Sequence, residues 1–162
     1  MARTRIHHFN GFSVKRAGID IKLDMDRVSD NFNRAQFALD SAVMTSMEPF
    51  MPKDTGQFIQ TTSAMSGALA GSGMVVAAAP PYGRYLYNGK VMVDSETGKG
   101  PMKITDKHGG EQLRWRKGAK LKPTKRNLKY SRPGAQSHWF DKAKEKDCDK
   151  WVDLVKKEIG AE

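Results

Sequence analysis

Between Lys99 and Arg132 the chain carries twelve Lys and Arg residues against two acids, Asp106 and Glu111. That surplus of ten equals the net charge of the whole 162-residue protein, +10, so everything outside the segment balances. Charge at this density calls for a partner, or for solvent, of its own. The same region is punctuated by Gly98, Gly100-Pro101, Gly109-Gly110, Gly118, Pro123 and Pro133-Gly134. Turn formers at that frequency favour a long arm or β-hairpin over a packed layer, so an inserted basic arm is expected at about 90–133. Met92, Ile104, Leu113 and Trp115 are candidates for one alternating apolar face of it.

The rest of the chain must supply the core. With 38% apolar residues and a mean hydropathy of −0.64, that core is thin, and neighbouring subunits are a natural source of the missing buried area. The length fits a single domain spanning 1–162. Val28, Phe32, Ala35, Leu39, Ala42, Val43 and Met47 recur at three- and four-residue steps, predicting an amphipathic helix over about 28–48. Ser29 or Asp26 is its expected cap, and Pro49 with Pro52 its end. A second helix is expected over about 137–159, capped by Ser137 and stopped by Gly160. Phe140, Ala143, Asp147, Trp151, Leu154 and Ile159 trace its face, with Trp139, Phe140 and Trp151 expected to pack helix against sheet.

The strand signals are shorter. Phe12 to Lys15 and Ile19 to Leu23 alternate apolar and charged residues around Gly18, the pattern of a half-buried hairpin. Asp54-Thr55-Gly56 reads as a turn, with the Asp54 carboxylate accepting from backbone N–H groups two residues on. Phe58 to Thr62 and Met74 to Ala78 read as an antiparallel strand pair joined by a small-residue loop from Gly67 to Gly73 and stopped by Pro80-Pro81. Tyr82 to Tyr87 is a short helical turn or extended segment closed by Asn88-Gly89. The sum is an α+β fold: a small antiparallel β-sheet packed by two main helices, carrying a long basic loop or hairpin.

Catalytic chemistry finds little support. His7-His8 have no third ligand at metal spacing. Cys148 is the sole cysteine, which leaves no internal disulfide, and its neighbours Asp147 and Asp149 oppose thiolate formation. Gly98-Lys99-Gly100-Pro101 lacks the earlier glycine and the Ser or Thr of a phosphate loop. One Asp-Thr-Gly triplet would make an aspartic protease only as a homodimer. The expectation is no enzyme, no cofactor and no metal. No apolar run is long enough for a membrane span, and the basic N-terminus lacks the apolar stretch of a signal peptide, so the chain reads as cytosolic in the producing cell.

Two sets of residues remain as candidate sites. Tyr82, Tyr85 and Tyr87 suit interface or packing anchors. Arg114, Trp115, Arg116, Lys117, Lys120, Lys122, Lys125, Arg126 and Lys129 mix cations with an aromatic, which suits either the phosphates of nucleic acid or an acidic protein surface.

In order along the chain stand Pro52, Asp54, Thr55 and Gly56; then Pro81, Tyr82, Gly83, Arg84, Leu86 and Tyr87. Met92 to Pro101 follows, and then Ala135, Trp139, Phe140, Ala143, Lys144 and Trp151. This ordered set, over roughly 28–159, resembles the minor capsid, or head–tail joining and tail-completion, proteins of tailed bacteriophages of the siphophage type. The resemblance implies a β-sheet core with flanking helices and a projecting loop. It also implies a structural ring of six or twelve copies at the virion neck, assembled in the host cytoplasm between portal and tail. The neighbours would be phage connector and tail proteins, with viral double-stranded DNA passing through the lumen. Asp54, Thr55, Gly56, Tyr82, Arg84, Tyr85 and Tyr87 would shape sheet and subunit interface, and the basic arm would meet a neighbouring ring or the DNA. The alternative is a nonspecific nucleic-acid-binding protein acting through residues 99–132.

Overall fold

A computed structural model describes residues 6–80, 82–105 and 111–160. Pro81, Asp106 and Gly109-Gly110, which enter the readings above, lie outside the described residues. The elements run β1 (Phe12–Arg16), β2 (Ile19–Leu23), α1 (Asp26–Met47), a 3-10 turn (Glu48–Phe50), α2 (Gln57–Leu69), α3 (Gly83–Asn88), β3 (Lys90–Asp94), β4 (Met102–Thr105), β5 (Glu111–Arg114), β6 (Leu121–Asn127) and α4 (Trp139–Ile159). The fold is α+β, and among the described residues its β part consists of three separate antiparallel ribbons: β1–β2, β3–β6 and β4–β5.

The core lies where α1 and α4 pack together. Val43, Met44 and Met47 of α1 meet Trp139, Ala143 and Trp151 of α4, with Met51 and Ile59 completing the cluster. The Trp151 indole donates to Ser46 Oγ at 3.2 Å, tying the two helices across the seam. The expected helix-to-sheet role of Trp139, Phe140 and Trp151 is therefore a helix-to-helix one. Trp139, fully buried, stands edge-on to Phe58 of α2 and Tyr87 of α3 at 5.9 and 4.8 Å, while Phe140 stacks on Trp151.

Both helix starts differ from expectation. The position before α1 is Met25, and the free amide of Asp26 is taken by Asp24 Oδ1 at 2.9 Å. Ser29 is instead buried within the helix, where its hydroxyl donates to Met25 O and accepts from Phe9 N. Helix α4 begins after His138, whose φ of 52° turns the chain left-handed, so Ser137 does not cap it. Both helix ends follow the sequence: Pro49 diverts α1 into the 3-10 turn, and Gly160 at φ 79° accommodates the left-handed stop of α4.

The expected strand pair is a helix and an irregular segment. Residues 57–69 form α2 despite the β-forming composition of Phe58 to Thr62, because Ile59, Thr62 and Ser66 fall on one buried helical stripe. Two of those three are hydroxyl residues, so the stripe is invisible to a search for apolar periodicity. The hydroxyls also explain why 74–79 needs no strand partner. Ser66 Oγ both accepts from Val76 N and donates to Val76 O, each at 3.1 Å, and Thr62 Oγ1 accepts from Ala79 N at 3.2 Å. The Trp139 indole donates to Ala77 O at 2.8 Å. Side chains of two helices thus do for this backbone what a neighbouring strand would otherwise do.

A buried carboxylate organises the turn between them. Asp40 on α1 accepts from Gly71 N at 2.7 Å and Gly73 N at 3.1 Å through Oδ2, and from the Gln36 amide at 2.7 Å through Oδ1. At the other end of α1, Asn33 Oδ1 accepts from Ile6 N and His7 N while its amide donates to His7 O, which lays the N-terminal segment along the helix.

Candidate functional site

The arm is built from two ribbons. In the first, Met92 pairs with Pro123, Val93 with Lys122 and Asp94 with Leu121; the register then shifts, so that Lys90 meets Asn127. In the second, Met102 opposes Arg114, Lys103 opposes Leu113 and Ile104 opposes Gln112. Directly opposed residues share a face, so Ile104 and Leu113 project to opposite sides, while Met92 is buried in the other ribbon. The single apolar face expected from Met92, Ile104, Leu113 and Trp115 is split, because the chain changes partner strand between them.

The root of the arm is fixed to the body. Leu128 N donates to Gly89 O at 2.8 Å, Tyr130 Oη donates to Leu86 O, and Arg132 Nη1 donates to Glu48 O at 2.9 Å. Gly83 lets α3 lie close against residue 78: a Cβ there would stand 2.5 Å from the Ala78 carbonyl carbon.

Asp94 is the knot between the two ribbons. It is only 3% exposed, and its Oδ2 accepts from Arg116 Nε at 3.0 Å while Oδ1 accepts from Glu96 N at 3.0 Å. Its own backbone closes the turn, with Asp94 N bonded to Lys99 O and Gly98 N to Asp94 O. The Arg116 hydrogen bond, helped by the Glu96 amide, holds the Asp94 carboxyl below the usual carboxylate range. Arg116 also pairs with Glu96, so this guanidinium is engaged inside the arm.

The other predicted arm cations are differently placed. Arg114, Lys117, Lys120, Lys122, Lys125, Arg126 and Lys129 are exposed, and none of these seven forms an ion pair among the described residues. Trp115 is half-buried. The arm therefore presents free positive charge without an open aromatic platform.

The tyrosine segment is the helical turn α3, as one of its two readings held. Tyr82 and Arg84 are exposed, Tyr85 is half-buried, and Tyr87 packs its ring on Trp139 and, at 4.9 Å, on His138. Burial, then the charge of Asp141, raises the Tyr87 hydroxyl above its ordinary pKa, and burial does the same to Tyr130. Asp54 and Thr55 are exposed, and Gly56, at φ 89°, turns the chain into α2. The amide bond expected of Asp54 is made by its neighbour, with Gln57 N donating to Thr55 Oγ1 at 3.4 Å. The landmarks at 54–58, 82–87 and 139–143 converge through Phe58, Tyr87 and Trp139, which is a packing junction.

Sequence reasoning missed an exposed apolar face. In β1–β2 the opposed pairs are Phe12 with Leu23, Val14 with Ile21 and Arg16 with Ile19, so all five apolar residues share one face. The other face carries Ser13, Lys22 and the Lys15–Asp20 ion pair at 3.1 Å. The strands were expected to be half-buried; instead the apolar five are 44–64% exposed, because none of the described residues packs over them. The alternation was legible, but what lies against it was not.

Among the described residues no group of three or more His, Cys, Asp or Glu could hold a metal ion. Among them too, no helix is long and apolar enough to cross a membrane. No family model, no curated protein and no solved structure matches the chain.

Proposed function

We propose that the chain is a structural assembly protein, and specifically a head–tail joining or tail-completion component of a tailed-phage virion neck. It would form a closed ring with adjacent connector and tail proteins as partners and viral DNA in the lumen. The carrying observation is the β1–β2 ribbon, with five exposed apolar side chains on one face and, among the described residues, nothing packed over them. A two-stranded ribbon is marginal by itself, and a contiguous exposed apolar face is the mark of an interaction site. The resemblance of the ordered motifs to those of the phage family is what points to this particular assembly. Cryo-electron microscopy of purified virions, reconstructed first without symmetry, tests it: a neck ring containing this chain is expected, and absence of the chain from the particle overturns the reading.

The free charge of the arm favours a second reading, nonspecific nucleic-acid binding. If all seven unpaired cations met phosphates, the logarithm of affinity for duplex DNA would fall against log salt with a slope near −6, at about 0.9 per contact. A fluorescence-anisotropy salt series decides it. A steep slope that becomes shallower by about two in a Lys122→Ala/Lys125→Ala variant supports DNA contact, whereas a slope near zero removes it.

A further inference from the structure

A cleft of about 400 Å³ opens between α3, the β3–β6 ribbon and the start of α4. Leu121, Pro123 and the half-buried Tyr85 give it apolar walls, and Arg84 and Lys90 give it a cationic rim beside the His138 ring. Among the described residues no acidic side chain lines it. Among the described residues too, Arg84 forms no ion pair and the Lys90 ammonium donates only to the neutral Asn127 Oδ1, at 2.7 Å. His138 alone faces a carboxylate, that of Asp141 at 3.5 Å.

The walls are held in register by backbone bonds. His138 N donates to Tyr87 O at 2.9 Å, joining α4 to α3, and Leu128 N donates to Gly89 O at 2.8 Å, joining the ribbon to α3. His138 occupies its left-handed conformation at this junction with its ring against Tyr87. Strained backbone of that kind persists where the surroundings over-determine it, and it collects at binding sites.

We propose that this cleft docks an acidic peptide segment of a partner protein, one that carries an aliphatic side chain beside a carboxylate. The aliphatic group would rest on Leu121, Pro123 and Tyr85 while the carboxylate pairs with Arg84 and Lys90. The cleft has the concave, mostly apolar form, with a few polar groups at its edge, that suits side-chain capture. A nucleic-acid duplex is convex, and its phosphates bring no apolar group to fill such walls, so the same cations serve a peptide better. The inference stands apart from the neck reading, since it needs only a partner with this chemistry.

Titration of the ¹⁵N-labelled full chain with a blocked Ala-Glu-Leu-Glu-Ala pentapeptide, and with its Ala-Gln-Leu-Gln-Ala counterpart, tests it. Saturable shifts are expected at the amides of Arg84, Lys90, Leu121 and His138, with binding weaker by roughly tenfold or more for the Gln probe, which lacks the charge-assisted contacts. The Arg84→Glu/Lys90→Glu variant is expected to lose binding to the same degree. Equal binding of the two probes, or shifts confined to residues 125–129, would overturn the proposal. So would displacement of the Glu probe from the cleft by a short DNA duplex, which would assign the cations to phosphate. The comparison of probes on the unaltered chain keeps the test valid if the variant misfolds.

Discussion

Replacing Val14 and Ile21 by threonine removes the central cross-strand pair from the apolar face of β1–β2 while keeping two β-branched residues. The isolated chain is expected to keep its stability, since both side chains already face solvent, at 47% and 54% exposure. Assembly is where the cost appears. Complete burial of a Val or Ile contributes about 1.5–3 kcal/mol, and close to half of each side chain remains to be covered, so each replacement forfeits about 1 kcal/mol at an interface. Enclosing two hydroxyls without partners adds about 1 kcal/mol apiece at the low end of measured values. A total of about 3–4 kcal/mol weakens subunit association by at least about a hundredfold. Sedimentation equilibrium over a concentration series reads that shift, and thermal denaturation of the same samples reads the fold. An association constant equal to that of the unaltered chain would refute the reasoning, as would an unaltered chain that stays monomeric at the highest workable concentration. A large fall in melting temperature would refute it differently, by showing that the face is buried within one subunit.

Three further outcomes follow from the interior. Asp40→Ala strips acceptors from the Gly71 and Gly73 amides; as these stay partly within reach of water, the loss is about 2–4 kcal/mol, or a melting temperature lower by roughly 5–12 °C, with Asp40→Asn falling between. The Asp94 carboxyl is held below its ordinary range, so its contribution is complete above the unfolded value of about 3.9 and is lost as pH falls through the lower folded one. Protection of the Asp94 and Gly98 amides, read as exchange relative to an unstructured peptide at the same pH, should therefore hold from neutrality to about pH 5 and fall only in stronger acid; Asp94→Asn should abolish that pH dependence, and early loss of protection would contradict the Arg116 clamp. Gly83→Ala drives a methyl group to 2.8 Å or less from Ala78 atoms, most of them backbone, and is expected to cost about 1–3 kcal/mol in thermal denaturation as α3 moves away.

The residues forming the two long helices were legible because their apolar positions repeat at helical steps and their ends are punctuated by Pro49 and Gly160. The β1–β2 hairpin was legible for the same reason, through its period of two and the turn at Gly18. Helix α2 was not, since its buried stripe is largely written in hydroxyls and its first residues favour strands. In the candidate sites, the free cations of the arm could be named from composition, but Arg116 could not be separated from them. Only folding brings it 3.0 Å from Asp94, twenty-two positions earlier in the chain.

Local rules thus settle which residues become helix, ribbon or turn wherever one periodicity dominates, and they place the positive charge on a segment that must remain wet. Partnership between distant residues lies beyond their reach. Tertiary structure decided that α1 packs on α4, that Ser66 and Thr62 hold 74–79 in place of a strand, and that Arg84, Lys90 and His138 rim one cleft. It decided equally that five apolar side chains of β1–β2 face outward. Alternation specifies that one face of a ribbon is apolar, whereas what covers that face depends on where the rest of the chain, or another molecule, comes to lie.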